Sequence, residues 1–373
     1  LHRFYDLKCV ITSGAGRWFR TSEVVTNIVV LEKKDDPNDP SGEIKFVVLK
    51  RPLEELEDDE SSRIAAAQIE LGQTQFDTMS IRSVSPTRLS EFHTYGLRGN
   101  AQFVNCDWVL DLPLSPLSNH FSVTRGERRG LNALFYPRDG HGIETDYIRP
   151  LAKGPADFAG VTGAASRSAF ACSRSEDELR TLGHRGALNW IDHFKTAENM
   201  EKLKRSGMHW YEMKADSLTE LVMFINYGDR LFVGRLSPAA FVDQRMVRLI
   251  PRQEGVDIGL CHALMNSSVG LFLLEGLGFG RGLGALDLNK DRLEAYMHML
   301  DPSVVDERGR DSIVGAFAPL AQRTLLPVAD ELEQQDRQDF DRVVLGAFGL
   351  DLCLERIYES LLGLVEIRRT VLD

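Results

Sequence analysis

The sequence predicts an α/β layer followed by an α+β region and a helical tail. Three observations carry this. Residues 1–50 hold three Val/Ile/Leu-rich runs, YDLKCVITS, EVVTNIVVLEK and EIKFVVLK, whose near-continuous hydrophobicity suits strands buried on both faces. Residues 209–251 contain HWYEMK, LVMFINY, RLFVGRL and FVDQRMVRLIP, whose alternating positions read as antiparallel strands. From Ser312 onward the spacing turns helical. Leu354, Ile357, Tyr358, Leu361, Leu364, Val365 and Arg368 recur at i, i+3, i+4 and i+7, with Gly349 stopping the helix before them.

Composition narrows the classes of function. A chain of 373 residues, 43% hydrophobic and 27% charged, matches a globular protein of two or three domains. No apolar run reaches the roughly twenty residues that span a bilayer, and no signal peptide is visible, so a cytoplasmic protein without a membrane partner is expected. Cys9, Cys106, Cys172, Cys261 and Cys353 are odd in number and widely spaced, which suggests reduced thiols and neither a disulfide framework nor a metal site. The net charge of −11 argues against a chain coated in positive charge for nucleic acid. Its distribution softens that argument. Residues 120–250 carry 19 Lys+Arg against 16 Asp+Glu, so the acid lies mainly at the two ends. Because the chain opens at Leu1 in mid-pattern, a fragment is expected.

Taken in order, the first strands are followed by a charged linker, RPLEELEDDESS, then a helix over SRIAAAQIELG and a short strand, TMSIRSV. Glu43 and Lys45 form the E-x-K triplet of one nuclease signature. The metal-binding aspartate it needs on a neighbouring strand is missing, because Asp36 and Asp39 fall in the adjoining turn. Next, Arg125, Arg128, Arg129 and Arg138 crowd around Gly126 and Gly130; the amides of such a turn with its arginines can hold phosphate oxygens, or the segment is a solvated hairpin with a basic rim. Residues 176–206 read as helical, with Trp190, Ile191 and Phe194 on one face, and Lys202, Lys204 and Arg205 complement the dipole at the end. On the last strand Asp243 and Arg245 share one face, and Gln244, Met246 and Arg248 the other; Arg and Gln can read base edges.

The stretch Asn266 to Leu288 is the least ordinary. Asn266, Ser267 and Ser268 can cap a following helix. Gly276, Gly278, Gly280, Gly282 and Gly284 then recur every second residue, so an extended ribbon would be bare on one side, with Phe279 and Arg281 on the other. Gly280, Gly282 and Ala285 satisfy G-x-G-x-x-A, but a helix precedes them where a nucleotide loop needs a strand.

These segments resemble adenine-N6 DNA methyltransferases of the type I and type IIG restriction-modification kind. "SGAGRWFRTSEVVTNIVVLEKK" looks like the segment after their catalytic motif. Gly126, Gly130, Asn132, Phe135, Tyr147, Pro150, Leu151, Lys153 and Gly154 look like the opening of their target-recognition region, and the stretch from Asn266 to Leu288 looks like its end. The specific parts are 18–33, 123–154 and 241–290, and Arg129 departs from the threonine that many relatives have there.

The resemblance implies terminal strands of a Rossmann-like methyltransferase sheet over 1–52, a joining segment over 53–114, an α+β target-recognition domain over 115–300 and a helical segment over 301–373. It implies that Phe19 stacks on an extruded adenine, although Trp18 and Phe19 read equally well as a core pair under a loop. Double-stranded DNA would meet Arg125, Gly126, Arg128, Arg129, Gly130, Asn132, Gln244, Arg245 and Arg281. No Pro-Pro pair exists here, so the D/N-P-P-Y/F motif is absent, and no S-adenosylmethionine motif is seen. The expectation is therefore that catalysis and S-adenosylmethionine belong to a half preceding Leu1 or to a separate catalytic subunit. No catalytic or metal-binding residue is assigned to the chain itself. The alternative is a non-catalytic DNA-binding specificity module.

Overall fold

The computed structural model describes residues 4–372 except 20, 22, 39, 40, 57, 72–75, 98, 128, 129 and 352. It is a mixed α/β structure with several sheets. Strands β1 (Tyr5–Ser13), β2 (Asn27–Lys33), β3 (Ile44–Leu49) and β4 (Met79–Val84) form a four-stranded sheet in the order β2-β1-β3-β4, with β1 and β3 parallel. Here the expectation of strands buried on both faces needs correction. Strand β3 is central, and Ile44, Phe46, Val47 and Leu49 are buried. Strand β2 is exposed along its whole length: it lies at the sheet's edge beside β1, and none of the hydrophobic clusters includes a residue of it. Strand β4, read in the joining segment, completes this sheet against β3. The Lys45 ammonium donates to the Ile69 and Glu70 carbonyls at 2.6 and 3.0 Å, so it serves the C-terminus of helix Asp59–Leu71.

Downstream come β5 (Leu114–Pro116), β6 (Phe121–Arg125), β7 (Ile148–Ala152), β8 (Thr162–Gly163) and β9 (Arg167–Phe170). They are followed by β10 (Thr219–Phe224), β11 (Asn226–Tyr227), β12 (Gly234–Val242) and β13 (Met246–Pro251), and finally β14 (Phe279–Arg281), β15 (Ala285–Asp287) and β16 (His298–Leu300). Seven of these make one sheet, β6-β13-β10-β12-β7-β9 with β8 beside β12; β11-β15-β14 make a small one, and β16 pairs with β5. HWYEMK is not a strand. Tyr211 and Met213 do alternate inward, into a cluster with Phe135 and Ile191, but the backbone runs through turns and has no ladder partner among the described residues. The stretch over 176–206 is three helices, Glu176–Leu182, Arg185–Phe194 and Ala197–Leu203, the first ended by Gly183 at φ 74° and the third capped by Thr196.

The largest core lies between the seven-stranded sheet and helices Ile258–Met265, Ser268–Leu277 and Leu354–Arg369. Ser267 caps its helix by accepting from the Gly270 amide at 3.3 Å, as expected, whereas Asn266 has another role. Its side chain exchanges two 3.0 Å hydrogen bonds with the Val233 backbone, and its carbonyl accepts from the Arg337 guanidinium at 2.5 Å. One asparagine thus ties the sheet to the C-terminal helices. The tail helix buries Leu354, Ile357, Leu361, Leu364 and Val365, as its spacing predicts.

Candidate nucleic-acid interface

The glycine-rich stretch is not one extended ribbon. Gly276 lies within helix Ser268–Leu277, where a side chain would strike Leu97 at 2.5 Å, and Gly278 caps that helix against Leu286. Only Phe279–Arg281 and Ala285–Asp287 are extended, joined by a tight turn into a hairpin. Period-two glycines therefore arise from three separate local demands. Arg281 is exposed, and its guanidinium pairs with Asp287 across the hairpin at 3.1 Å.

Arg125, Gln244 and Arg245 come together although about 120 residues separate them. The reading of Asp243 to Arg248 as a two-faced strand is corrected here. Asp243, Gln244 and Arg245 form the turn between β12 and β13, where Gln244 and Arg245 are exposed. Asp243 sets that turn: one carboxylate oxygen accepts from the Arg245 amide at 3.1 Å, the other from the Tyr136 hydroxyl at 2.8 Å. Strand β6 ends alongside, and Gly126 is required because any side chain there would collide with the Asp243 and Val242 carbonyls. Its amide and that of Glu127 donate to Met246 and Val242 at 2.9 and 2.8 Å. The phosphate-binding amide proposed for Gly126 is therefore already engaged, and its neighbours' side chains are what face solvent. Gly130 packs against Leu203, and Arg128 and Arg129 lie outside the described residues.

These residues line an open cleft of ≈1170 Å³ whose other wall is Lys202, Lys204 and Arg205. In sequence those three have a sufficient explanation in the helix dipole, and nothing local links them to Arg245. Glu127 is the acid in the lining, and it is paired with Arg248 at 3.2 Å, so the cleft is strongly cationic within an acidic protein. Arg125, Lys202 and Arg245 have no ion-pair partner among the described residues. Asn132 does not join them; it lines a neighbouring cleft with Arg138, Lys153, Arg167 and Trp190.

The cleft and the hairpin are contiguous through one residue. Ile225 lines the cleft and donates to the Arg245 carbonyl at 3.2 Å, while its own carbonyl accepts from the Leu288 amide at 2.9 Å. On its far side the hairpin touches the segment that carries Phe19, the Leu283 amide donating to the Glu23 carbonyl at 3.0 Å. Trp18 and Phe19 are not a core pair. Trp18 packs into the cluster of Cys9, Val47 and Met79, and Phe19 turns outward with 56% of its surface exposed. Among the described residues no cluster of three or more His, Cys, Asp or Glu could hold a metal ion.

The fold is similar to that of the type IIG restriction endonuclease BpuSI: 98% of this chain aligns with 44% of that one, with a TM-score of 0.53 and 11% identity. The type IIL restriction-modification enzyme MmeI, solved in complex with DNA, aligns over 97% of this chain and 46% of its own, with a TM-score of 0.47 and 13% identity. The chain thus spans less than half the length of these structures, and it has a fold found in a restriction-modification enzyme. No protein-family model matches it, nor does any curated protein.

Proposed function

We propose that the chain performs DNA target recognition for site-specific adenine-N6 methylation in a restriction-modification or related defence system, acting in the cytoplasm on double-stranded DNA. The observation that carries this reading is the convergence of Arg125, Gln244 and Arg245 with Lys202, Lys204 and Arg205 on one cleft of a protein whose net charge is −11. Concentrated cations suit a polyanion, Arg125, Lys202 and Arg245 having no carboxylate partner among the described residues, and an exposed Gln between them suits base edges. Similarity of fold to a type IIG restriction endonuclease adds support.

In this reading S-adenosylmethionine and the methyl-transfer residues belong to a catalytic part supplied by the same polypeptide or by a separate subunit. The exposed edge strand β2 and outward-facing Phe19 support a first sheet that is completed by that part. Selection of duplexes from a randomised pool on the purified chain tests the proposal. A single recovered sequence motif containing adenine is the expected result, with methylation of that adenine once the catalytic part is added. Recovery of no motif, or binding that does not depend on the cleft's cations, would overturn it.

A further inference from the structure

Leu283 is the one non-glycine residue with positive φ among the described residues, at φ 62° and ψ 32°. L-residues adopt this conformation at a cost, and a chain that needed only to turn would be served by glycine or asparagine. Leu283 belongs to no hydrophobic cluster that would repay this cost, and 63% of its surface is exposed. Yet its backbone is pinned on both sides. Its amide donates to Glu23, and the carbonyl of Gly284 accepts from the Arg368 guanidinium, itself held by Glu275 at 2.6 Å. Strain that the surroundings hold so firmly, on a side chain presented to solvent, points to a task outside the chain.

The hairpin's position says what task. Its base adjoins the cationic cleft through Ile225 and Leu288. The three extended residues Ala285–Asp287 and the tight turn before them carry the tip away from that base, and a two-stranded ribbon of this kind fits a DNA major groove ~12 Å wide. Alongside the hairpin, against Gly280, Gly282 and the Leu283 amide, lies the Glu23 to Val25 segment, a few residues along the chain from Phe19. We propose that Leu283 is a wedge that enters a base step of the duplex held in the cleft, unstacking it and filling the space from which a base is drawn toward Phe19. This inference rests on the DNA-recognition reading above.

The test uses the 373-residue chain and a selected duplex carrying 2-aminopurine at successive positions, whose fluorescence rises where stacking is lost. The wild-type chain should raise the signal at one step. Leu283→Gly keeps the backbone conformation, relieves its strain and removes the wedge. It should melt no lower than wild type, bind no more than about tenfold more weakly, and lose the fluorescence rise. Leu283→Asn, which tolerates the same φ, should lose it too. A rise that persists unchanged in Leu283→Gly, or no rise with wild type on a duplex that it binds, overturns the wedge alone. Failure of the wild-type chain to select any duplex overturns the DNA-recognition reading and the wedge with it.

Discussion

Arg125 and Arg245 reach the cleft with no carboxylate partner among the described residues, so each can displace a counterion from a phosphate. Arg125→Ala with Arg245→Ala should lower the slope of log affinity against log salt by about 2, at ~0.9 per phosphate contact. An unchanged slope in fluorescence anisotropy would remove both from the interface. Phe19 carries a second prediction, in an enzyme with its catalytic part present. An aromatic platform returns about 1–3 kcal/mol of lost stacking, so Phe19→Ala should cut single-turnover methylation roughly ten- to a hundredfold, and Phe19→Trp should restore most of it. Equal methylation per folded molecule in Phe19→Ala would show the ring to be dispensable. At this scale the sequence disclosed which side chains had the right chemistry but not which were available. Gly126 looked like an anion-binding glycine, yet its amide closes a turn; Lys202, Lys204 and Arg205 had a sufficient local explanation, and their shared cleft exists only once helix Ala197–Leu203 meets the β12–β13 turn.

Elements whose periodicity is set by a single neighbour were legible. The tail helix is one, and even its Arg368 falls on the buried stripe. There its guanidinium meets Glu275 at 2.6 Å, with side-chain exposures of 4% and 3%, and also reaches the hairpin through Gly284. Breaking such a pair strands a buried charge, so Glu275→Leu or Arg368→Met alone should cost about 3–5 kcal/mol. The double variant should recover much of that loss, short of wild type because the Gly284 carbonyl stays unmet. Urea unfolding of the three proteins measures this, and additive single effects would exclude the coupling. Legibility failed where one pattern has two causes. Alternation in HWYEMK reports which side chains point inward, and turns satisfy that as well as strands do. The glycines at 276–284 reflect a helix contact, a helix cap and a hairpin turn in succession, which a period of two cannot separate.

For the whole molecule, sheet and tail share one core, and His262 is buried inside it. Its Nε2 lies 2.9 Å from the Val233 carbonyl, and its ring packs edge-on to Phe317. Burial pushes its imidazole down from 6.5 to about 4, so between those values the unfolded chain takes up a proton that the folded chain refuses. This part of the stability is fully present above about pH 6.5 and is lost as pH falls toward 4, with roughly 2 kcal/mol gone by about pH 5. Urea midpoints should decline across that window, and His262→Gln should flatten the decline; parallel profiles would rule His262 out as its cause. The overall order of layers was legible, since strand-rich, mixed and helical segments follow one another along the chain. Strand β2 was not legible as an edge, and the consequence concerns handling in solution. Ile28, Val29, Val30 and Leu31 are exposed on a strand with an open hydrogen-bonding side, a template for a second copy. The net charge of −11 keeps copies apart only while it is unscreened, so the purified chain should self-associate as salt and concentration rise. Light scattering should record that growth, and Val29→Lys, at a half-exposed position outside the hydrophobic clusters, should keep the chain monodisperse.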